Sequence, residues 1–280
     1  MPVRGAPLRR LGFLTIGLFE AGDPGRGHET TLQMIEFGER LGFDSAWVRH
    51  RHLQYGISSP VAVLAAASQR TRRIALGTAV IPLGWENPLR LAEDLATVDV
   101  LSGGRLNPGL SVGPPMRFDD VREALYPNTA EIEDFTYTRV SRLLDLLEGK
   151  PASTFSGIVG IEEFSDRVQP HSPGLRMRMW YGAGSRRSAA WAGEHAMNLL
   201  VSNVVRATDS VEFTAIQQEL IHAYRAARPQ GRVSQGLVVL PTDRATPEQR
   251  AKYAAYVEAR APRIGTRQGP AGLLFARAST

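Results

Sequence analysis

The sequence predicts an α/β fold, a (β/α)8 barrel of the TIM type, and three observations carry that expectation. Short apolar runs alternate with amphipathic stretches from residue 11 to residue 260, the pattern left by parallel βαβ units. The alternation is even, and about seven βα repeats can be recognised by that rule. No Gly-x-Gly-x-x-Gly turn follows the first apolar run, where an open dinucleotide-binding sheet would place one. The 280 residues are enough for one such domain, because a barrel needs about 250. The expected organisation is therefore a single domain over 1–280, with loop excursions at 113–134 and 149–173 and an irregular tail at 261–280.

The elements follow in order. Residues 11–19 (LGFLTIGLF) read as a buried strand. Arg4, Arg9 and Arg10 precede this run and give it the outline of a signal peptide. Thr15 and two glycines interrupt it, however, and no small-residue cleavage site follows. Residues 28–41 form a helix with Met34, Phe37, Gly38 and Leu41 on one face. A strand at 44–48 is followed by an Ala-rich helix at 60–70 that opens on Pro60. A third strand at 74–81 precedes a helix at 88–101, again opened by proline. The fourth strand, 105–112, contains Pro108, which makes its pairing irregular.

The rhythm then breaks. Residues 135–147 are helical, and 149–173 is a Gly-, Pro- and Ser-rich stretch expected to form a hairpin over one end of the fold. The alternation resumes with strands at 177–182, 196–201 and 233–240 and helices at 185–195, 209–227 and 246–260. Thr246 is the expected N-cap of the last helix, with Pro247 at its first position.

Composition excludes several classes. There is no cysteine, so thiol nucleophiles, thiolate metal sites and disulfides are all absent. The apolar share of 43% and the charged share of 22% are those of an ordinary globular chain. The net charge of +5 is spread over scattered arginines, not concentrated in a patch with aromatic platforms. Nucleic acid is therefore not an expected partner. No run approaches the roughly 20 apolar residues of a membrane-spanning helix. The expected setting is cytoplasmic, without membrane contact.

A parallel barrel carries its chemistry on the loops at the C-terminal ends of its strands. After the second strand comes Arg49-His50-Arg51-His52. Its imidazoles suit acid–base work or anion binding near neutrality, although a solvated basic loop would read the same way. As a metal site the pair is weak, because two arginines flank it and no third ligand is evident; no metal is expected. After the third strand, Trp85 is a ligand-stacking lid or a rim cap. After the fifth come Trp180-Tyr181-Gly182-Ala183-Gly184-Ser185-Arg186-Arg187-Ser188. Open backbone N–H groups at a helix start, two hydroxyls and two cations make a phosphate site. A plain Ser-capped helix after a Gly turn fits the same residues.

Three segments, LGFDSAWVRH (41–50), SSPVAVLAAASQRTRRIALGTAVIPL (58–83) and NPLRLAEDLATVDVLSGGRLNPGLSVG (87–113), resemble the bacterial luciferase-like flavin-dependent monooxygenases. The helix start GAGSRRSAAWAGEHAMN (182–198) is similar to that family's flavin-phosphate segment. The resemblance implies a luciferase-like barrel that uses reduced FMN from a separate flavin reductase. It forms a flavin C4a-peroxide with oxygen and oxidises a small organic substrate. One branch of the superfamily uses F420 instead, and some luciferase-like chains are catalytically inert partner subunits. By position, His50 matches the catalytic histidine, and His52 is a second candidate. The acidic residue that luciferase places before its histidines is replaced here by Arg49. Thr78 and Ala79 match a segment that often carries a non-prolyl cis peptide under the flavin ring. Ser111 falls beside the reactive edge of the ring, and Tyr181, Gly182, Gly184, Ser185 and Ser188 fall on the phosphate segment. Val112 stands where luciferase has a phosphate-binding arginine, leaving Arg186 or Arg187 as helpers. Family members continue past residue 275 into another helix and strand. The resemblance thus predicts a barrel short of its last unit, with either a homodimer covering the gap or a compromised fold.

Overall fold

The computed structural model describes residues 9–206, 212–263 and 273–275. The chain divides between Trp180 and Tyr181 into two compact units.

The first unit begins with β1 (Gly12–Thr15), α1 (Pro24–Arg40), β2 (Ser45–Val48), α2 (Pro60–Arg70) and β3 (Ala75–Thr78). After these come β4 (Ile81–Pro82), α3 (Pro88–Ser102), β5 (Leu106–Asn107) and β6 (Gly109–Ser111). The strands β1, β2, β3 and β5 lie side by side in that order, with all neighbours parallel. A parallel sheet is buried on both faces, and Ala46, Val48, Leu76 and Leu106 are accordingly almost inaccessible. Gly77 has no side chain because Trp47 occupies the space: a Cβ there would lie 2.3 Å from the indole.

Differences from the expected boundaries have local causes. α1 starts four residues early, with Asp23 accepting from the Arg26 N–H as N-cap and Pro24 at the first position. Gly25 and Gly27 make that start look like a turn in the sequence. The expected third strand is two pieces, β3 and β4, separated by a cis peptide between Ala79 and Val80. Pro108 splits the expected fourth strand into β5 and β6, because proline has no N–H for a ladder.

The Leu-Ser-Gly-Gly-Arg run at 101–105 has a visible structural role. Gly103 takes the left-handed conformation that ends α3 (φ 69°). Arg105 then spans from Ser68 to Ile74, donating to the carbonyls of Ser68, Thr71 and Ile74 and to the Thr71 hydroxyl at 2.9–3.0 Å. Glu39 of α1 accepts the N–H groups of Arg72, Arg73 and Ile74. Together these contacts fix the turn into β3.

The two excursions are ordered. The first holds a helix the sequence reading did not foresee, α4 (Phe118–Leu125). It is followed by α5 (Tyr137–Leu147), whose buried face is Arg139, Val140, Leu143, Leu144 and Leu147. The second contains the expected hairpin, β7 (Gly157–Val159) paired antiparallel with β8 (Glu162–Phe164). A short 3-10 turn, Arg176–Arg178, leads into β9 (Trp180–Gly182), so only the end of the expected strand at 177–182 is extended.

The second unit contains α6 (Arg186–Glu194), β10 (Asn198–Val201), β11 (Val204–Arg206) and α7 (Phe213–Ala227). It continues with β12 (Val233–Gln235), α8 (Pro247–Glu258) and β13 (Leu273–Phe275). β10 and β12 are parallel, and β11 pairs antiparallel with β13. The expected strand at 233–240 stops at Gln235. Residues 209–211 of the expected long helix lie outside the described residues. Gly193 lets α6 and α7 approach closely, because a Cβ there would meet Ala227 Cβ at 2.8 Å. Thr246 caps α8 as expected, in a reciprocal box with Gln249.

Candidate active site

β2 delivers the strand-end histidines. The Arg49 N–H donates to Thr15 O and the Arg51 N–H to Ile57 O, both at 3.0 Å. Residues 49–57 therefore fold back along the extension of β1, and His50 is turned inward. It is 2% exposed, and neither ring nitrogen completes a well-formed hydrogen bond. His52 lies beside it, with ring centroids 4.4 Å apart. Its Nε2 is likewise buried and without a hydrogen-bond partner.

β4 delivers the other half. The chain leaves β4 through a 3-10 turn, Leu83–Trp85, and enters α3 at Asn87, whose side chain accepts from the Leu89 and Arg90 N–H groups. Trp85 stacks on His52 with centroids 4.0 Å apart and planes 18° from parallel. Glu86 follows, its Oε1 3.9 Å from His50 Nε2.

This turn is tied down from the first excursion. Arg139 of α5, 4% exposed, donates to the carbonyls of Leu83 and Glu86 at 3.1 and 2.7 Å. It also reaches Glu133 and the Tyr126 hydroxyl. Tyr126 passes its own proton to Gly84 O at 2.8 Å. A cavity of about 350 Å³ opens beside the turn, lined by His52, Trp85, Arg51, Met116, Arg117 and Val121 among others.

The electrostatics of the pocket follow from burial. Loss of water drives the His50 pKa down to about 3, with His52 and Arg51 adding repulsion. Burial lowers His52 in the same direction. For Glu86, burial drives the pKa up to about 7, and the Asp94 charge adds to this while Arg139 opposes it. Just below neutrality the pocket thus holds two neutral imidazoles and a neutral carboxylic acid. Their donor atoms all lie within 4.8 Å of one another. That spacing supplies a third potential metal ligand that the sequence did not reveal. Arg51 faces the same space, and a positive neighbour opposes a cation.

The other expected residues are placed as follows. Thr78 is fully buried, and its hydroxyl both donates to Gly109 O and accepts from Gly109 N–H. Its side chain is committed to joining β3 to β6. Ala79 lies at the expected segment, at the cis peptide. Ser111 ends β6 and is half-buried. Tyr181 and Gly182 close β9. Ser185 and Ser188 form a capping box at the start of α6, and the Gly184 and Ser185 N–H groups both donate to Ser188 Oγ. Arg186 pairs with Glu219. In the excursions, Tyr126 and Phe118 pack near the β4 turn through Phe135, whereas Phe155 packs on Phe164 of its own hairpin.

A buried and a half-buried imidazole just past the end of a parallel strand stand where α/β barrels carry their chemistry. Residues 10–277 match the luciferase-like monooxygenase family, and the chain belongs to it. A 93-residue stretch is 38% identical to 4-hydroxyprotoasukamycin monooxygenase of Streptomyces nodosus subsp. asukaensis, covering 32% of this chain and 25% of that protein. The chain thus matches about a quarter of the length of that curated relative. Among solved structures, the monooxygenase RslO1 of Streptomyces bottropensis superposes with a TM-score of 0.66 at 20% identity, covering 91% of this chain and 78% of that one. The oxygenating constituent of 3,6-diketocamphane monooxygenase of Pseudomonas putida, in complex with FMN, gives 0.59 at 14% identity, covering 80% and 64%. The F420-dependent tetrahydromethanopterin reductase of Methanopyrus kandleri gives 0.63 at 21%, covering 92% and 73%. These likenesses establish the fold class as the α/β, TIM-type one of the family. No described helix is long and apolar enough to cross a membrane.

Proposed function

We propose that the chain is a flavin-dependent monooxygenase that uses reduced FMN and dioxygen to oxidise a small organic substrate. The observation that carries this reading is the buried, unpartnered His50–His52 pair beside a strand-end cavity in a chain of this family. Orphaned polar atoms are rare in folded interiors, and here His52 borders a space of about 350 Å³ with His50 behind it. Such a site fits a planar heteroaromatic group rich in acceptors and donors. At α6, nothing lies within 4 Å of where a Gly184 Cβ would be, which leaves room for an anion beside N–H groups that now donate to Ser188 Oγ.

When bound, reduced flavin supplies two electrons and the position at which dioxygen is activated. This chain's residues do the rest. Gly184, Ser185 and Ser188 would hold the phosphate once it replaces Ser188 Oγ as the acceptor of the Gly184 and Ser185 N–H groups, with Arg187 adding charge. In the first unit, Ala79 and Ser111, with the backbone of Thr78, are the residues that would face the ring, and in the second unit Tyr181 and Gly182 lead into the phosphate segment. His52 would hydrogen-bond the reacting oxygen from the cavity wall as a neutral imidazole, with His50 supporting it from behind. Trp85, Met116 and Val121 keep water away from the reactive centre. A separate reductase delivers the flavin, in keeping with the "oxygenating constituent" among the structural neighbours.

The test is an anaerobic titration of the purified chain with reduced FMN and with reduced F420, followed by admission of oxygen. Saturable FMN binding with oxygen uptake supports the reading. Binding and turnover of F420 alone would replace it with an F420-dependent oxidoreductase. Binding of neither would favour an inert partner subunit.

A further inference from the structure

We infer that Glu86 is the proton-storing partner of the strand-end histidines: its carboxyl group holds the proton that the reaction consumes and delivers it through His50. The inference rests on the monooxygenase reading for the identity of the reaction, but not for the existence of the stored proton.

The geometry is specific. Glu86 directly precedes Asn87, the N-cap of α3, and is fixed on one side by that cap and on the other by Arg139 through the Leu83 and Glu86 carbonyls. Arg139 thus spends its short bonds on the backbone, Glu133 and Tyr126, and the Glu86 carboxylate is left to face His50 Nε2 at 3.9 Å. Neither His50 nitrogen completes a well-formed side-chain bond, and the Ser58 backbone, which favours the protonated ring, is its hydrogen-bonding neighbour, so one nitrogen is left to accept from Glu86. The charged and titratable groups around the pair are known on every side. Asp94 of α3 raises Glu86, and Arg139 of α5 lowers it. Tyr126 couples to Glu86 from the first excursion. Arg51 and His52 repel a proton on His50. The balance leaves the proton on the carboxyl group.

The transfer closes without a co-reactant. The Glu86 O–H bond breaks as an N–H bond forms on His50 Nε2. His50 gives up its other ring proton to His52, which in turn exchanges one ring proton for another and passes it to the oxygen atom being reduced in the cavity. His50 enters and leaves neutral, in the other tautomer. The electron pair of the broken bond stays on the carboxylate. That group is 29% exposed and takes its proton back from solvent.

The experiment follows the carboxylic acid C=O stretch by infrared spectroscopy from pH 5 to pH 9 in the full-length protein and in Glu86→Gln. The expected result is one band that disappears with a midpoint near neutrality and is missing in the variant. A band absent at pH 5 to 6, or unchanged in Glu86→Gln, overturns the inference. Turnover with reduced FMN then reads the consequence. Glu86→Gln should lower kcat by at least about tenfold, leave KM nearly unchanged, and remove the loss of activity above neutral pH. Glu86→Asp should retain that limb at a shifted midpoint, which a purely structural role would not produce. A limb that survives intact in Glu86→Gln also overturns the inference. A titrating band in a protein that does not turn over flavin would instead remove the monooxygenase reading and leave the stored proton standing. Tight, stoichiometric Zn²⁺ retention that requires Glu86 would make the trio a metal centre and overturn proton storage.

Discussion

His50 and Glu86 respond to burial in opposite directions, and this has a measurable consequence for stability. Unfolded, His50 binds a proton near 6.5; folded, it resists until about 3. Between those values the unfolded chain holds more protons, so His50 makes stability fall as pH drops. Glu86 does the reverse. Folded, it keeps its proton up to about 7, while the unfolded chain releases it near 4.5. Stability therefore falls as pH rises through that window. The two slopes oppose each other between about 4.5 and 6.5. Glu86→Gln removes one of them, and its Tm should then rise with pH across this window more steeply than that of the native protein, as thermal melts would show. The histidines also separate by position. His52 borders the cavity and stacks on Trp85, whereas His50 lies behind it. His52→Ala should weaken flavin binding and alter Trp85 fluorescence. His50→Ala should reduce kcat by about 100-fold or more with less effect on binding, checked by steady-state kinetics and flavin titration.

At the scale of elements, the turn after β4 depends on one guanidinium. Arg139→Ala leaves the Leu83 and Glu86 carbonyls and the Glu133 carboxylate without their donor in a buried place. A loss of about 3–5 kcal/mol is expected in denaturant unfolding. Arg139→Lys should recover little, since an ammonium cannot span that fork. The helices and strands that present these residues were largely legible in advance. The inner parallel strands β2 and β3 are buried and leave uninterrupted apolar runs, and Pro60 and Pro88 announce their helices. β1 is apolar yet largely exposed and not the buried strand expected. α4 was not legible: Phe118–Leu125 is short and follows Arg117 without a side-chain cap. The candidate site divides the same way. His50 could be found because it follows an apolar strand directly. Glu86 could not, because a carboxylate between Trp85 and Asn87 looks solvated until the ends of β2 and β4 come together. The only advance signal was its place in a strand-end loop.

For the whole molecule, the family assignment rests on residues 10–277, and the reaction is tested at two separate places in the chain. The second unit carries the expected phosphate segment. Ser188→Ala removes the acceptor of the Gly184 and Ser185 N–H groups and, on the proposed function, a hydroxyl for the phosphate. It should weaken FMN binding about tenfold through the loss of one charge-assisted bond, measured by flavin titration, while leaving Glu86 infrared behaviour unchanged. Homodimerisation and the reductase partnership are open to light scattering and to coupled oxygen-uptake assays.

The Tyr126 hydroxyl joins Gly84 to Arg139 from within an excursion that a protein engineer would regard as replaceable. In enzymes of this architecture, exchanging such loops is the obvious way to graft new substrate scope. Here residues 113–134 cannot be exchanged as decoration, because they hold the latch that keeps Glu86 in register. A chimera with a borrowed loop should gain a differently shaped mouth and lose its acid unless a phenol is transplanted with it.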